Sequence, residues 1–416
     1  MLPKPSLCFT IPSIHDNTKL DCRVFHPLSL SFHVGASGLS QAAPPWGRHI
    51  AIVAHPYAPL GGCYDDPIVN MVAGILLRSG FLVATFNFRG VSSAGARTSW
   101  TSKPEQADYM SVVGFLAYYA HYIEFPKRTD PGQTTVPILL QAGYSYGAMV
   151  TTKLPPLNDI MAPFESPPLH SAAADIRLRA QHLAEQQTRL ATGPASPRRS
   201  MGLRVGGDED VSRRSHDFTR THSPDHEDKI RRGVKDLLAR TKRVQRKHGH
   251  KHDEQAEEHI HQEECMVRVD DLEPYRSAYL LVSPPIGYLT NLATMSFPSP
   301  FASWHKKGGR SGHGASSPPQ DGAADTRVEP HDLKLVHNPT LAIYGDQDGF
   351  LMPRKLREWT TRLKAQDGSL FHDIEVAGAG HFWAEEGVVS RLRAAVSGYG
   401  SELLGSTAQS FEWPDD

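Results

Sequence analysis

Two observations predict an α/β fold, a mostly parallel central sheet flanked by helices. Short, continuously apolar runs alternate with helically periodic segments over the first 150 residues, and the alternation resumes near Ser277. Strand, helix and strand at this spacing require crossover connections, and those put helices on both faces of a parallel sheet. The second observation is a polar, charge-dense stretch between the two halves that is too poor in apolar residues to build a core. The expected division is therefore a first half of the core over 1–154, an insertion over 155–271 and a second half over 272–416.

The elements follow in order. Ser6 to Ile11 and Leu20 to His26 read as two strands around the turn Ser13-Ile14-His15-Asp16-Asn17, and Leu28 to Trp46 as a Ser/Gly/Pro-rich connector. Ile50 to Ala54 is apolar throughout, as a strand covered on both faces should be. Pro67 to Ser79 carries Ile68, Val69, Val72, Ile75 and Leu76 on one helical side and stops at Gly80. Phe81 to Phe88 is a buried strand. Glu105 to Tyr122 is a helix with Tyr109, Val112, Val113, Leu116 and Tyr119 as its apolar stripe. A strand from Val136 to Ala142 precedes Gly143-Tyr144-Ser145-Tyr146-Gly147. In the second half, Ser277 to Val282, Thr340 to Tyr344 and Phe371 to Val376 read as strands, Pro353 to Leu363 as a helix and Glu385 to Tyr399 as the closing helix.

Composition narrows the class. The 416 residues carry a formal charge of -1, so no global field draws nucleic acid or an anionic membrane to the chain. The four cysteines, Cys8, Cys22, Cys63 and Cys265, are scattered and form neither a disulfide framework nor a zinc site. Met1 to Pro5 lacks the apolar stretch of a signal peptide, and no run is long enough for a membrane span, so a cytoplasmic location is expected.

The motif that carries chemistry is the Gly-x-Ser-x-Gly turn at Ser145. A serine oxygen stands exposed above a sheet only where the chain reverses sharply, and flanking glycines let strand and helix backbones approach. The pentapeptide alone is weak, with about 0.2 chance matches expected in a chain of this length. Its context strengthens it. Asp348, in Gly345-Asp346-Gln347-Asp348, follows one later strand, and His381, in Gly378-Ala379-Gly380-His381-Phe382, follows the next. Acyl transfer needs a nucleophile, a base for its proton and an acid to orient that base, and the order Ser, Asp, His is that of α/β-hydrolases. Singly, each residue has an ordinary reading: a helix cap or loop residue for Asp348, and one unremarkable histidine among 22 for His381. All three at strand ends in the right order favour catalysis, with Asp346 the rival acid. For the oxyanion hole the backbone N–H groups of Tyr146 and Tyr57 are the candidates, since Pro56 has none. His55 suits loop architecture better than a base.

These segments together resemble a family. His55-Pro56-Tyr57 with Gly61-Gly62 and Asp66-Pro67, then Phe86-Asn87-Phe88-Arg89-Gly90-Val91, Glu105 and Asp108, and later Ser283-Pro284-Pro285, look like the small α/β-hydrolases related to dienelactone hydrolases and serine aminopeptidases. The resemblance covers roughly Arg48 to Val150 and Ala278 to Gly387. It implies the α/β-hydrolase fold and a triad on Ser145, Asp348 and His381, and it does not cover the insertion, which lies where many α/β-hydrolases carry a lid. Ser92 and Ala94 depart from the family's loop, where glycine and serine are usual. Arg89 is expected to tie this loop to a carboxylate, Glu105 or Asp108, with a substrate-carboxylate role as the alternative.

From Ser171 to Glu264, Ser, Arg, Asp, Glu and His dominate, with a patchy helical stretch at Asp228 to Lys247, so a largely disordered or loosely helical insertion is expected. Trp304 to Glu329 reads as a flexible loop. His248, His250, His252, His259 and His261, with Cys265, are suitable metal ligands in a segment that fixes no geometry, so no metal site is expected. The basic run Arg240, Lys242, Arg243, Arg246 and Lys247 is nearly cancelled by flanking acids, and a solvated face is expected there rather than a nucleic-acid or lipid contact. Arg198-Arg199-Ser200 and Arg213-Arg214-Ser215 are candidate phosphorylation sites. The resulting expectation is a serine hydrolase that needs no cofactor and cleaves an ester or thioester of a small acyl substrate. An amide-cleaving peptidase and a non-catalytic scaffold on the same fold are the alternatives.

Overall fold

The computed structural model describes residues 2–30, 46–91, 97–99, 101–123, 136–192, 228–239, 264–286, 328–350 and 353–405. β1 (Leu7–Pro12) and β2 (Lys19–Phe25) form an antiparallel hairpin in which Leu7, Phe9 and Ile11 face the core and alternate residues do not. β3 (Ile50–Ala54) leads through α1 (Pro67–Ser79) to β4 (Leu82–Phe86), and α2 (Lys103–Tyr122) leads to β5 (Ile138–Tyr144). β3, β4 and β5 are buried at every position, which is why their sequences are unbroken apolar runs rather than alternating ones. α1 starts where Asp66 accepts from the Ile68 and Val69 amides and Pro67 occupies the first turn, a position that needs no N–H.

α3 (Tyr146–Lys153) follows β5 directly, and the sequence Pro155-Pro156 stops it. Beyond it come α4 (Leu157–Glu165), α5 (Ala172–Thr192) and a helix over 228–239 (α6). The second half contributes β6 (Arg276–Val282), the short α7 (Leu333–His337), β7 (Thr340–Gly345), α8 (Pro353–Lys364), β8 (Phe371–Val376) and α9 (Val388–Gly405). The eight strands form one sheet in the order β1-β2-β4-β3-β5-β6-β7-β8. Every pairing from β4 onward is parallel, and β2 alone runs against its neighbours. This eight-stranded, mostly parallel sheet is the α/β-hydrolase architecture. α1 and α9 close one face through Val72, Leu76, Leu392 and Val396, while α2, α3 and α5 close the other through Val112, Leu116, Val150 and Ile176.

The insertion departs from expectation. Residues 157–192, read from composition as the start of a disordered or loosely helical stretch, form two packed helices. α5 hides a narrow stripe, Ala173, Ile176, Ala180, Leu183 and Ala184, inside a sequence otherwise rich in Arg and Gln, and this stripe is buried against the core. Average hydrophobicity over a window misses such a stripe because small alanines supply three of its five residues. The polar face is tied by the i,i+4 pairs Asp175–Arg179 and Glu185–Arg189. Phe164 of α4 sits over Gly114 of α2, where a Cβ would collide with its ring. The open carbonyls at the end of α4 are satisfied by Tyr118 Oη (2.9 Å) and by Arg177.

The ends of the remaining insertion meet in a short stem, where the Leu169 amide donates to the Glu264 carbonyl and the Met266 amide to the Pro167 carbonyl. Leu169, Leu178, Leu237 and Met266 pack together there, joining α6 to α5. α4 and α5 lie against α2, and α5 also against β1; none of the described insertion residues lines the cavity at Ser145.

Candidate active site

The β5 strand ends at Tyr144 and α3 begins at Tyr146, so Ser145 alone makes the reversal, at φ 54 and ψ -119. For a residue with a side chain this backbone conformation is strained by about 1–3 kcal/mol. It holds because the turn is fixed from both sides. The Ser145 amide donates to the Val282 carbonyl at 2.8 Å. Gly143 lies so close to the backbone of Gly147 and Ala148, and Gly147 so close to the Ala54 carbonyl, that a Cβ at either would collide.

Ser145 Oγ lies 2.8 Å from His381 Nε2, and His381 Nδ1 lies 2.7 Å from Asp348 Oδ2. All three side chains are buried. The other oxygen of Asp348 accepts from the Phe350 amide at 2.9 Å, so the carboxylate has one oxygen fixed by backbone and the other on the imidazole. Asp346 points elsewhere: its Oδ1 accepts from the Gly378 amide at 2.7 Å and ties the loop after β7 to the loop after β8. The loop bearing His381 is further held by Tyr144 Oη, which donates to the His381 carbonyl at 2.8 Å, and by Trp383 Nε1, which donates to Ser283 Oγ at 3.2 Å. The first of these links the strand that carries the serine to the loop that carries the histidine.

Tyr57 and Tyr146 line the cavity in which Ser145 and His381 lie. Their rings stand 5.2 Å apart. The Tyr57 carbonyl accepts from the Leu60 and Gly62 amides, which folds the loop after β3 back on itself. His55 is fully buried: its Nδ1 is 2.6 Å from the Pro56 carbonyl, and its Nε2 accepts from the Phe88 amide at 2.9 Å. Burial pushes its pKa down to about 4, although the bond to the Pro56 carbonyl pulls the other way. The neutral imidazole therefore joins two loops and has no nitrogen left for chemistry.

The Arg89 network is wider than expected. Arg89 pairs with Asp108 (2.6 Å), but its second carboxylate is Asp16, at 2.8 Å, with Ser13 Oγ as a further acceptor. Burial opposes ionisation of Asp16, yet hydrogen bonds from Arg89 and Thr18 outweigh it and hold its carboxyl down at about 2. Glu105 instead accepts from the amide and hydroxyl of Ser99. Asp16 was missed because it sits 73 residues from Arg89, in a turn whose composition explains it locally.

The cavity has a volume of about 120 Å³ and is lined also by Leu60, Asp66, Pro285, Phe350 and Phe382. Asp66, Pro285 and Phe382 fall within segments quoted from the sequence, though not as cavity wall; Leu60 and Phe350 carry no motif and were not singled out. Ser92 and Ala94, the histidines from His248 to His261, the basic run over 240–247, Ser200, Ser215 and the loop over 304–327 lie outside the described residues. Among the described residues no group of three or more His, Cys, Asp or Glu is placed to hold a metal, and no helix is long and apolar enough to cross a membrane.

No family model matches the chain, and no curated protein matches it. Solved structures resemble it weakly. An α/β serine hydrolase homologue from Coxiella burnetii is 12% identical, with 95% of this chain and 98% of that chain covered and a TM-score of 0.41. An α/β serine hydrolase without a lid from Xanthomonas campestris is 15% identical, with 97% of each chain covered and a TM-score of 0.42. Est1E from Butyrivibrio proteoclasticus is 11% identical, with 96% and 100% covered and a TM-score of 0.42. At these values the chemistry of the site rests on its own geometry.

Proposed function

We propose that the protein is a serine hydrolase that cleaves an ester or thioester through an acyl-enzyme. The observation that carries this reading is the continuous hydrogen-bonded chain from Ser145 Oγ through His381 to Asp348, at 2.8 and 2.7 Å, on a serine in a strained backbone conformation. A scaffold protein has no use for such strain, whereas a nucleophile needs it to stand clear of the sheet.

In this mechanism His381 Nε2 takes the Ser145 proton as Oγ attacks the acyl carbon. Asp348 holds the imidazole in the required tautomer and stabilises the imidazolium. The amides of Tyr57 and Tyr146 donate to the oxyanion, Tyr146 with the added field of the α3 N-terminus. The tetrahedral intermediate collapses, the imidazolium gives its proton to the leaving oxygen or sulfur, and the acyl group remains on Ser145. Water, deprotonated by the same imidazole, then releases the acid and restores the serine. Esters and thioesters are favoured over amides because their leaving groups demand less of the acid.

A fluorophosphonate probe tests the reading. Labelling of the wild type and loss of labelling in Ser145→Ala are expected. A wild-type protein that takes up no probe while folded overturns it.

A further inference from the structure

We propose that the substrate carries an uncharged apolar acyl chain whose outer part lodges between Phe382 and Leu60 at the mouth of the Ser145 cavity. The inference rests on the serine hydrolase reading and names the substrate class of that site.

The mouth is built from two loops. Leu60 comes from the loop after β3 and Phe382 from the loop after β8, and both line the same cavity as Ser145 and His381. They are 58% and 65% exposed, among the most exposed large apolar side chains described. Exposed singly, such residues need no explanation; on the rim of one small cavity they form an apolar entrance. Phe382 is also supported from behind. Its ring meets Phe350 edge-on at 5.4 Å, and Phe350 in turn lies 4.8 Å from the His381 ring.

Charge and size point the same way. Among the described residues no Lys or Arg lines the cavity, and the one carboxylate there, Asp66, has its Oδ1 occupied by the Ile68 and Val69 amides. Arg89, the cation that a substrate carboxylate would need, already holds Asp108, Asp16 and Ser13. Among the described residues an anionic acyl group would meet the Asp66 carboxylate and no Lys or Arg. The cavity, at about 120 Å³, is somewhat smaller than the roughly 150 Å³ that accommodates a benzene ring. A chain longer than a few carbons must therefore emerge between Leu60 and Phe382.

The test measures kcat/KM for p-nitrophenyl acetate, butyrate, hexanoate and hemisuccinate. The hexanoate is expected to exceed the acetate about tenfold, as partial burial of four methylenes implies. The hemisuccinate is expected to fall at least tenfold below the butyrate. Phe382→Ala and Leu60→Ala should each cut the hexanoate-to-acetate ratio by roughly three- to tenfold, mainly through KM, because the contact is made equally in ground and transition states. Phe382→Leu should recover most of that ratio. Both alanine substitutions are at exposed positions, and Leu60 makes no ring contact with His381, so a common effect cannot be traced to a disturbed imidazole. A flat chain-length profile, a hemisuccinate rate equal to the butyrate rate, or ratios unmoved in both variants overturns the inference. If that occurs in a protein whose Ser145 takes up the fluorophosphonate, the hydrolase reading stands; if no labelling occurs, both fall.

Discussion

Two aspartates two residues apart do different work on the same loop. Asp348 reaches His381 at 2.7 Å, while Asp346 accepts from the Gly378 amide. Substitution separates them. Asp348→Asn keeps the shape but can hold His381 in the wrong tautomer by donating to Nδ1, and kcat for an activated ester should fall by about 10⁴. Asp346→Asn retains an acceptor oxygen for Gly378, and kcat should change less than tenfold. The opposite ranking in steady-state kinetics would move the acid to Asp346. The sequence favours Asp348 and leaves Asp346 as a rival, because both residues follow the same strand and either could turn toward the imidazole. By contrast, the serine turn was legible because its requirement is local: a strand, a sharp reversal and small residues on both sides all fall within a few positions.

At the scale of elements, α4 packs into the core through two buried side chains, Ile160 and Phe164. Phe164 is fully buried over Gly114, beneath an end cap made by Tyr118 and Arg177. Phe164→Ala leaves a cavity that the rigid pair of α2 and α4 cannot close, and chemical denaturation should show a loss of about 3–5 kcal/mol. A loss below 1 kcal/mol would mean that α4 contributes little to the core. The strands were readable because burial on both faces leaves no polar position to confuse the pattern, as in Ile50 to Ala54. α5 was not, because its buried face is largely alanine and its other face carries the charge that marks a disordered segment. The cavity wall was unreadable for another reason. Leu60, Phe350 and Phe382 come from three separate loops, and only the assembled sheet brings those loops together.

Across the whole molecule, buried neutral histidines link folding to pH. His26 is 2.7 Å from Tyr119 Oη, and His55 joins the loops after β3 and β4. Burial lowers both pKa values to about 4, against an ordinary value near 6.5. Between these values the unfolded chain binds protons that the folded one does not, so stability is full above pH 6.5 and is lost as the pH falls toward 4. Each group contributes a slope of roughly 1.4 kcal/mol per pH unit in that window. Thermal melts should therefore show a clear drop in Tm between pH 7 and pH 5; a flat profile would mean that these side chains are not buried as described. The same sheet that buries them brings Ser145, Asp348 and His381, spread over 236 residues of sequence, into one hydrogen-bonded chain. The most direct test of that chain's role is acid quenching during turnover of an activated ester, followed by peptide mapping by mass spectrometry. The account predicts an acyl group on the peptide bearing Ser145, absent in Ser145→Ala and accumulating to one per molecule in an initial burst. Turnover with no covalent adduct, or an adduct on another residue, would contradict it.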